Sequence, residues 1–332
     1  MYLLVTKSLS IAIAGSVYSN DSGILSIMYH RFNENKYPST NINMEIFKKH
    51  MQIIRENGFD FINLDEFNNS FKSKKDEKKI LLSVDDAFKS FYDNAWPYLK
   101  KNEIPFILFV STEPIGKEGY MTWEQIKEIE KEKYAYIGNH SHSHQYLINF
   151  NIRDFKIDID RSIKIFRENL GYNPIFFSYP FGEYSLEQKN YISKHFEYAF
   201  GQNSGLIDLN KDRFELPRFP INEKYGDLER FNFLIKLKPL EYKEISIKDN
   251  LILPDENPPN LEIIFFNEQN LEGITCYSNE GEDWHQSSIE LNDNLLKVNF
   301  SEKLKFRRGR INCSLNQNGW RWLGLQFSIK LD

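Results

Sequence analysis

Between residues 24 and 219, short apolar runs alternate with segments of helical period, and this alternation limits the fold more than any other feature of the chain. Runs at 24–29, 80–84, 106–110, 134–138, 175–179 and 198–200 predict strands, several without polar alternation, as expected when both faces are covered. Segments 44–57, 91–101, 123–132 and 153–169 predict the helices between them. Thr122 and Gln125 form a capping box before the third of these helices, and Gly171 and Pro174 close the fourth. Strand–helix alternation of this kind builds a parallel sheet or barrel. After Phe219 the pattern changes. One more helix is expected at 228–236, and a Pro-rich stretch at 254–259 precedes short strands at 261–266, 273–277, 288–291, 295–300, 310–315 and 323–329. Their spacing predicts a small β-sandwich. The expected organisation is an N-terminal extension over 1–23, an α/β barrel over 24–240 and a sandwich-like unit over 241–332.

Composition removes several classes of function. With 42 basic and 47 acidic side chains the net charge is −5, which argues against a nucleic-acid partner, because phosphate recognition needs a basic excess. Cys276 and Cys313 are too few for a thiolate metal knuckle but sufficient for one disulfide. Any metal site must therefore use nitrogen and oxygen donors. The longest uncharged stretch near the start, residues 8–20, has 13 residues, short of the roughly 20 apolar residues of a membrane-spanning helix. Residues 1–19 have the outline of a secretory signal, with Lys7, the apolar run 11–15 and the small residues Ser16 and Ser19, so export to the periplasm or cell envelope is expected.

Chemistry-bearing residues stand where the predicted strands end. Three of the chain's 7 histidines fall within five residues, His140, His142 and His144, just after the run at 134–138. On a helical turn the i and i+4 imidazoles, His140 and His144, would share one cation while His142 points elsewhere. Asp85 and Asp86 follow the run at 80–84. Two adjacent carboxylates cannot both sit ionised in a pocket without a cation or hydrogen bonds, and a metal resolves that conflict. One can ligate while the other accepts a proton from activated water. His30 ends the first strand. The stretch Ser178-Tyr179-Pro180-Phe181-Gly182 runs from a strand into a turn whose backbone N–H groups can face an oxyanion.

Together these segments resemble the polysaccharide deacetylase family, the NodB-homology domains or family 4 carbohydrate esterases, over residues 24–221. The most specific part is Asp85-Asp86 combined with His140 and His144. The resemblance implies a distorted (β/α)7-type barrel in which Asp86, His140 and His144 bind a divalent metal, zinc first among candidates that include Co2+, Ni2+ and Fe2+. It also implies Asp85 as catalytic base and the Phe181 backbone N–H as oxyanion donor. Met28-Tyr29-His30 is similar to the circularly permuted branch typified by poly-N-acetylglucosamine deacetylases, which makes His30 the general acid. The expected partner is an acetylated poly- or oligosaccharide, and the expected reaction is removal of its acetyl group from nitrogen or oxygen.

The family's arginine-bearing motif departs here to 178–182, which lacks the arginine that orients the base. Arg218, in Leu216-Pro217-Arg218-Phe219-Pro220, is the candidate to hold Asp85 or a substrate oxygen. Tyr179 and Trp123 are further candidates for substrate contact. Trp284, Trp320 and Trp322 with Arg307, Arg308 and Arg310 suit either a sugar-binding face or a sandwich core with a basic rim. The competing readings are an Fe(II) oxygenase, a related barrel acting on a non-sugar amide, and a non-catalytic glycan-binding protein.

Overall fold

The apolar runs become the central sheet of the molecule. The computed structural model describes residues 23–73, 78–281 and 283–331, so the expected signal segment at 1–19 lies outside the described residues. The sheet is built from β1 (Ile24–Tyr29), β2 (Lys79–Val84), β3 (Phe106–Val110), β4 (Ala135–Asn139), β5 (Phe176–Ser178) and β6 (Tyr198–Phe200), hydrogen-bonded in that order and all parallel. Every residue of β1, β3, β5 and β6 is buried, which is why these strands show no polar alternation.

The far edge of β1 carries β7 (Leu206–Ile207), antiparallel, and β8 (Phe219–Pro220), parallel. The chain between them fills the seam from β6 back to β1. Leu216 N donates to Ala199 O at 2.9 Å, Gly201 N donates to Leu216 O at 2.9 Å, and Phe219 pairs with Ile27. The sheet thus curls into a distorted barrel whose seam is a loop carrying Pro217 and the short strand β8, in place of a full strand.

Helices α1 (Met44–Glu56), α2 (Leu64–Ser73), α3 (Trp96–Lys101), α4 (Trp123–Glu130), α5 (Ile152–Leu170), α6 (Leu186–Ile192) and α7 (Leu228–Leu234) complete the α/β unit. The helix expected at 91–101 is divided: a π-helical turn, Phe91–Ala95, leads into α3, which starts afresh with Pro97 in its first turn. Proline lacks the N–H for an interior helical bond but is tolerated at a helix start, so the register changes ahead of it. The capping box at Thr122 and Gln125 forms, and Gly171 ends α5 with φ 85°.

The C-terminal strands form two sheets. One has five strands, β9 (Lys238–Pro239), β17 (Trp320–Ser328), β16 (Arg308–Asn316), β12 (Thr275–Asn279) and β13 (His285–Gln286), in that spatial order. The other has four: β10 (Glu244–Ile245), β11 (Leu261–Ile264), β15 (Leu295–Asn299) and β14 (Ser288–Asn292). Leu261, Ile263, Leu296, Ile311 and Phe327 meet in a core of their own between the sheets. Cys276 and Cys313 are a facing pair in the β12–β16 ladder and are joined by a disulfide.

The sandwich docks on the barrel through β17. Asn203 Nδ2 donates to Gly324 O at 2.9 Å, Ser204 Oγ donates to Asn312 Oδ1 at 2.7 Å, and Trp322 Nε1 donates to Ser204 Oγ at 3.3 Å. Gly324 permits this approach, because a Cβ there would lie 1.9 Å from Ser204 O.

Candidate metal centre and active site

In a parallel barrel every strand delivers its C-terminal end to the same rim, and loops there carry the chemistry. His30 follows β1, Asp85 and Asp86 follow β2, His140 follows β4 and Tyr179 follows β5. The residues brought together are Asp86, His140 and His144, whose candidate ligand atoms all lie within 4.8 Å of one another. Asp86 Oδ1 is 3.0 Å from His144 Nε2 and 3.5 Å from His140 Nε2.

The histidines converge by a route other than the expected helical turn, since residues 140–146 are a loop. Ser141 at φ 70° and His144 at φ 52° both adopt left-handed backbone, as do Asp86 at φ 75°, Ala87 at φ 55° and Phe181 at φ 59°. Non-glycine residues in that region cost about 1–2 kcal/mol each and persist where the surroundings over-determine them, typically at functional sites. Here the surroundings are specific. Asp158, on the buried face of α5, accepts hydrogen bonds from His142 N at 2.9 Å and Ser143 N at 3.1 Å, and Asn139 Oδ1 accepts from Ser141 N at 2.8 Å. His142 turns away to Thr112 Oγ1, 2.8 Å from its Nδ1.

The donor set fits a divalent cation. His140 Nδ1 donates to Ser178 O at 2.7 Å, which leaves Nε2 with its lone pair toward Asp86. Both Asp86 Oδ1 and His140 Nε2 are buried without a hydrogen bond, an arrangement that costs free energy unless a further group completes it. Two imidazoles and a carboxylate oxygen suit zinc and other first-row divalent ions.

Asp85 stands beside this set and is fully buried. Arg218 grips it bidentately, Nη1 to Oδ1 at 2.7 Å and Nη2 to Oδ2 at 2.9 Å. Arg218 is itself held by Gly201 O at 2.9 Å, Ser178 Oγ at 2.7 Å and Ser83 Oγ at 3.2 Å. Burial pushes the Asp85 carboxyl up, but the charges of Arg218 and His140 outweigh it and hold Asp85 below the usual carboxylate range. Asp86 is held low in the same way, with His144 overcoming burial. Burial is the main cause that lowers His140 to about 4, whereas Asp86 raises His144 against the effect of burial.

His30 lines a cavity of about 610 Å3 together with Asp86, His144 and Phe181. Two expected contacts do not reach it. Tyr179 is buried under the rim, stacks on Tyr184 at 4.2 Å and donates its hydroxyl to Phe214 O at 3.1 Å. The odd–even alternation of an extended segment turns its side chain away from its neighbour Ser178, which faces Asp85. Trp123 packs edge-on to Phe166 at 5.7 Å and anchors α4 on the barrel core, away from the cavity lining.

Other residues of the site carried weak sequence signals. Asp158 stands on α5 in register with Phe155, Ile159, Ile163 and Phe166, a carboxylate on a largely apolar face, and that conflict was readable. Ser83 and Ser178 had no such signal. Of the tryptophans and arginines that the sequence leaves between sugar face and core, Trp284, Arg308, Arg310 and Trp322 line the cavity, joined by Asn312 and Leu325. Trp284 and the two arginines are cavity wall, Trp322 is interface, and Trp320 is exposed beside Phe233, ring centroids 6.2 Å apart.

A curled parallel α/β sheet with an Asp–His–His set and a second, guanidinium-held aspartate at one rim defines a metal-site barrel of the NodB-like kind. Residues 72–199 match the family model described as polysaccharide deacetylase. The poly-beta-1,6-N-acetyl-D-glucosamine N-deacetylase of Staphylococcus aureus is 24% identical over 205 residues, covering 57% of this chain and 69% of that protein. YxkH of Bacillus subtilis is 26% identical over 163 residues, and the match spans 57% of its length and 48% of this chain. Among solved structures, IcaB from Ammonifex degensii aligns with a TM-score of 0.56 at 23% identity, over 64% of this chain and 97% of that one. The Streptococcus pyogenes deacetylase PplD, solved with acetate, aligns with a TM-score of 0.56 at 21% identity, over 61% of this chain and 94% of that one.

Proposed function

We propose that the chain is a metal-dependent hydrolase that removes acetyl groups from an N-acetylated glycan. The observation that carries this reading is the pairing, at one barrel rim, of a three-donor set with a separate carboxylate locked by Arg218. Asp86, His140 and His144 would hold the ion, zinc by the choice of donors. When bound, such an ion supplies Lewis acidity, polarising a carbonyl and acidifying water.

The remaining steps belong to the chain. Asp85, oriented by Arg218, takes the proton from the attacking water. The Phe181 N–H, on a left-handed turn, meets the oxyanion that develops on the acetyl carbonyl. His30 gives a proton to the amine as the C–N bond breaks, and acetate and free amine leave. Arg218, by holding Asp85, does what the resemblance assigns to the arginine missing from the 178–182 segment, and this supports a catalytic reading over a non-catalytic binder. The disulfide supports an oxidising compartment and hence export. No helix among the described residues is long and apolar enough to cross a membrane.

The test is acetate release from acetylated oligosaccharides together with metal content. D85N should lower kcat about 10²- to 10⁴-fold while keeping metal. D86A should lose metal and activity together. Full metal occupancy in D86A would overturn the ligand assignment, and unchanged kcat in D85N would overturn the base.

A further inference from the structure

We infer that the C-terminal sandwich forms a wall of the active-site cavity that binds an anionic group, a carboxylate or phosphate ester, on the glycan next to the acetylated sugar, with Arg310 and Arg308 as the binding residues. The inference rests on the deacetylase reading and narrows its substrate class.

Three observations lead to it. First, the cavity that holds His30, Asp86 and His144 on its barrel side is lined on the other by Arg308 and Arg310 from β16 and by Trp284. Along β16 burial alternates, so Gly309, Ile311 and Cys313 face the sandwich interior while Arg308, Arg310 and Asn312 face the cavity. Second, this wall is fixed to the catalytic turn. The Arg308 guanidinium lies 5.8 Å from the Phe181 ring centroid, and that ring lies 4.9 Å from the His144 ring. Gln326, from β17, donates to Phe181 O at 3.2 Å and Gly182 O at 3.0 Å and accepts from Arg310 Nε at 3.0 Å. Arg308 therefore stands one aromatic ring from the metal ligand His144, and Arg310 is tied to the same turn through Gln326.

Third, the charges on this wall do not balance. Glu183, buried beneath the turn, pairs with Arg308 at 3.4 Å. Among the described residues Arg310 has no carboxylate in ion-pair range, and its hydrogen bond to Gln326 leaves its Nη groups without a protein partner. Burial, with Arg308 adding repulsion, lowers it to about 10 against the weaker pull of Tyr225 and of Glu183, which stands beyond contact. Arg230 adds a third guanidinium to the same cavity. A largely desolvated cation with no carboxylate in direct contact is costly, and a guanidinium pairs best with a planar carboxylate or with phosphate oxygens. A neutral acetylated polymer would leave this wall unmatched, and the amine formed by deacetylation would be repelled by it. A sugar bearing an oxyanion satisfies it, with the exposed Trp284 indole offering a face to the ring.

The experiment compares acetate release from N-acetylated oligosaccharides of equal length that are neutral, carry a uronic carboxylate, or carry a phosphate ester on the neighbouring sugar. One or both anionic series should show kcat/KM at least tenfold above the neutral series at low salt, the advantage shrinking as salt rises, and their order identifies the group. In R310Q the ratio should fall toward one, and R310K should restore part of it. Equal kcat/KM for all three series, or an R310Q loss shared equally by neutral and anionic substrates, overturns the inference. If the metal-loaded wild type releases no acetate from any series, the deacetylase reading fails instead, and calorimetry with the same anionic oligosaccharides decides the wall separately. Binding weakened at least tenfold in R310Q sustains it, and equal binding or none sinks it. Should R310Q not fold, the charge and salt comparison between wild type and R310K carries the same decision.

Discussion

The barrel rim and the sandwich wall use arginine in opposite ways. At the rim Arg218 is fully buried and spends its guanidinium on Asp85, two serines and a carbonyl. On the wall Arg310 faces a cavity and has one neutral partner. A buried ion pair closed on itself fixes geometry, whereas a cation left short of acceptors is available to a ligand. The same residue type thus builds a preorganised base in one region and a recognition surface in the other.

Breaking the closed pair should have the largest effect. R218M leaves Asp85 buried and uncompensated, so a stability loss of about 3–5 kcal/mol is expected in urea unfolding, together with a fall in kcat. If R218M were as stable as the wild type, the rim could not be the locked unit described. Next in size is the joint between the two regions. In G324A the added methyl would meet Ser204 O at 1.9 Å, and separating the surfaces should cost about 1–3 kcal/mol by thermal unfolding and raise KM, because the wall shifts relative to the rim.

A smaller effect concerns Glu183. Burial first of all, against the pull of Arg308, Arg307 and Arg310, raises its carboxyl from 4.5 to about 7. The folded state then holds the proton more tightly than the unfolded one, so this group's contribution to stability is present below about 4.5 and lost as pH rises through about 7. E183Q should flatten that slope in a Tm-against-pH series, and an unchanged slope would show that Glu183 does not titrate there. The smallest effect is at Tyr179. Y179F removes one hydrogen bond to Phe214 O and should cost about 1 kcal/mol. Its kcat should match the wild type, since the hydroxyl points away from the cavity.

The strands at 24–29, 106–110 and 198–200 were readable to the residue, because a fully buried strand is a bounded apolar run. The π-turn before Pro97 was not, since periodicity cannot show where a helix changes register. Helix α6 was missed although Ser185 and Gln188 form a capping box, and α2 was missed although Asn63 and Glu66 exchange hydrogen bonds across its start. Both are short and polar, so the local cap outweighs a weak apolar stripe. The histidine loop shows the same limit within the site. Residue type and proximity in sequence named His140 and His144, but the left-handed residues that aim them depend on Asp158 from another element.

The order of the residues along the chain was enough to determine which chemical groups stand at the ends of which strands, because burial leaves a periodic trace and strand ends follow from it. Tertiary structure decided which of the two roles open to Arg218 it takes, meeting Asp85 across 133 positions, and it alone decided that Tyr179 and Trp123 turn inward and that the sandwich supplies a wall to the cavity. The physical reason is range. Propensity and periodicity act over a few neighbours, whereas the partner of a buried charge is set by strand order and by how two cores dock.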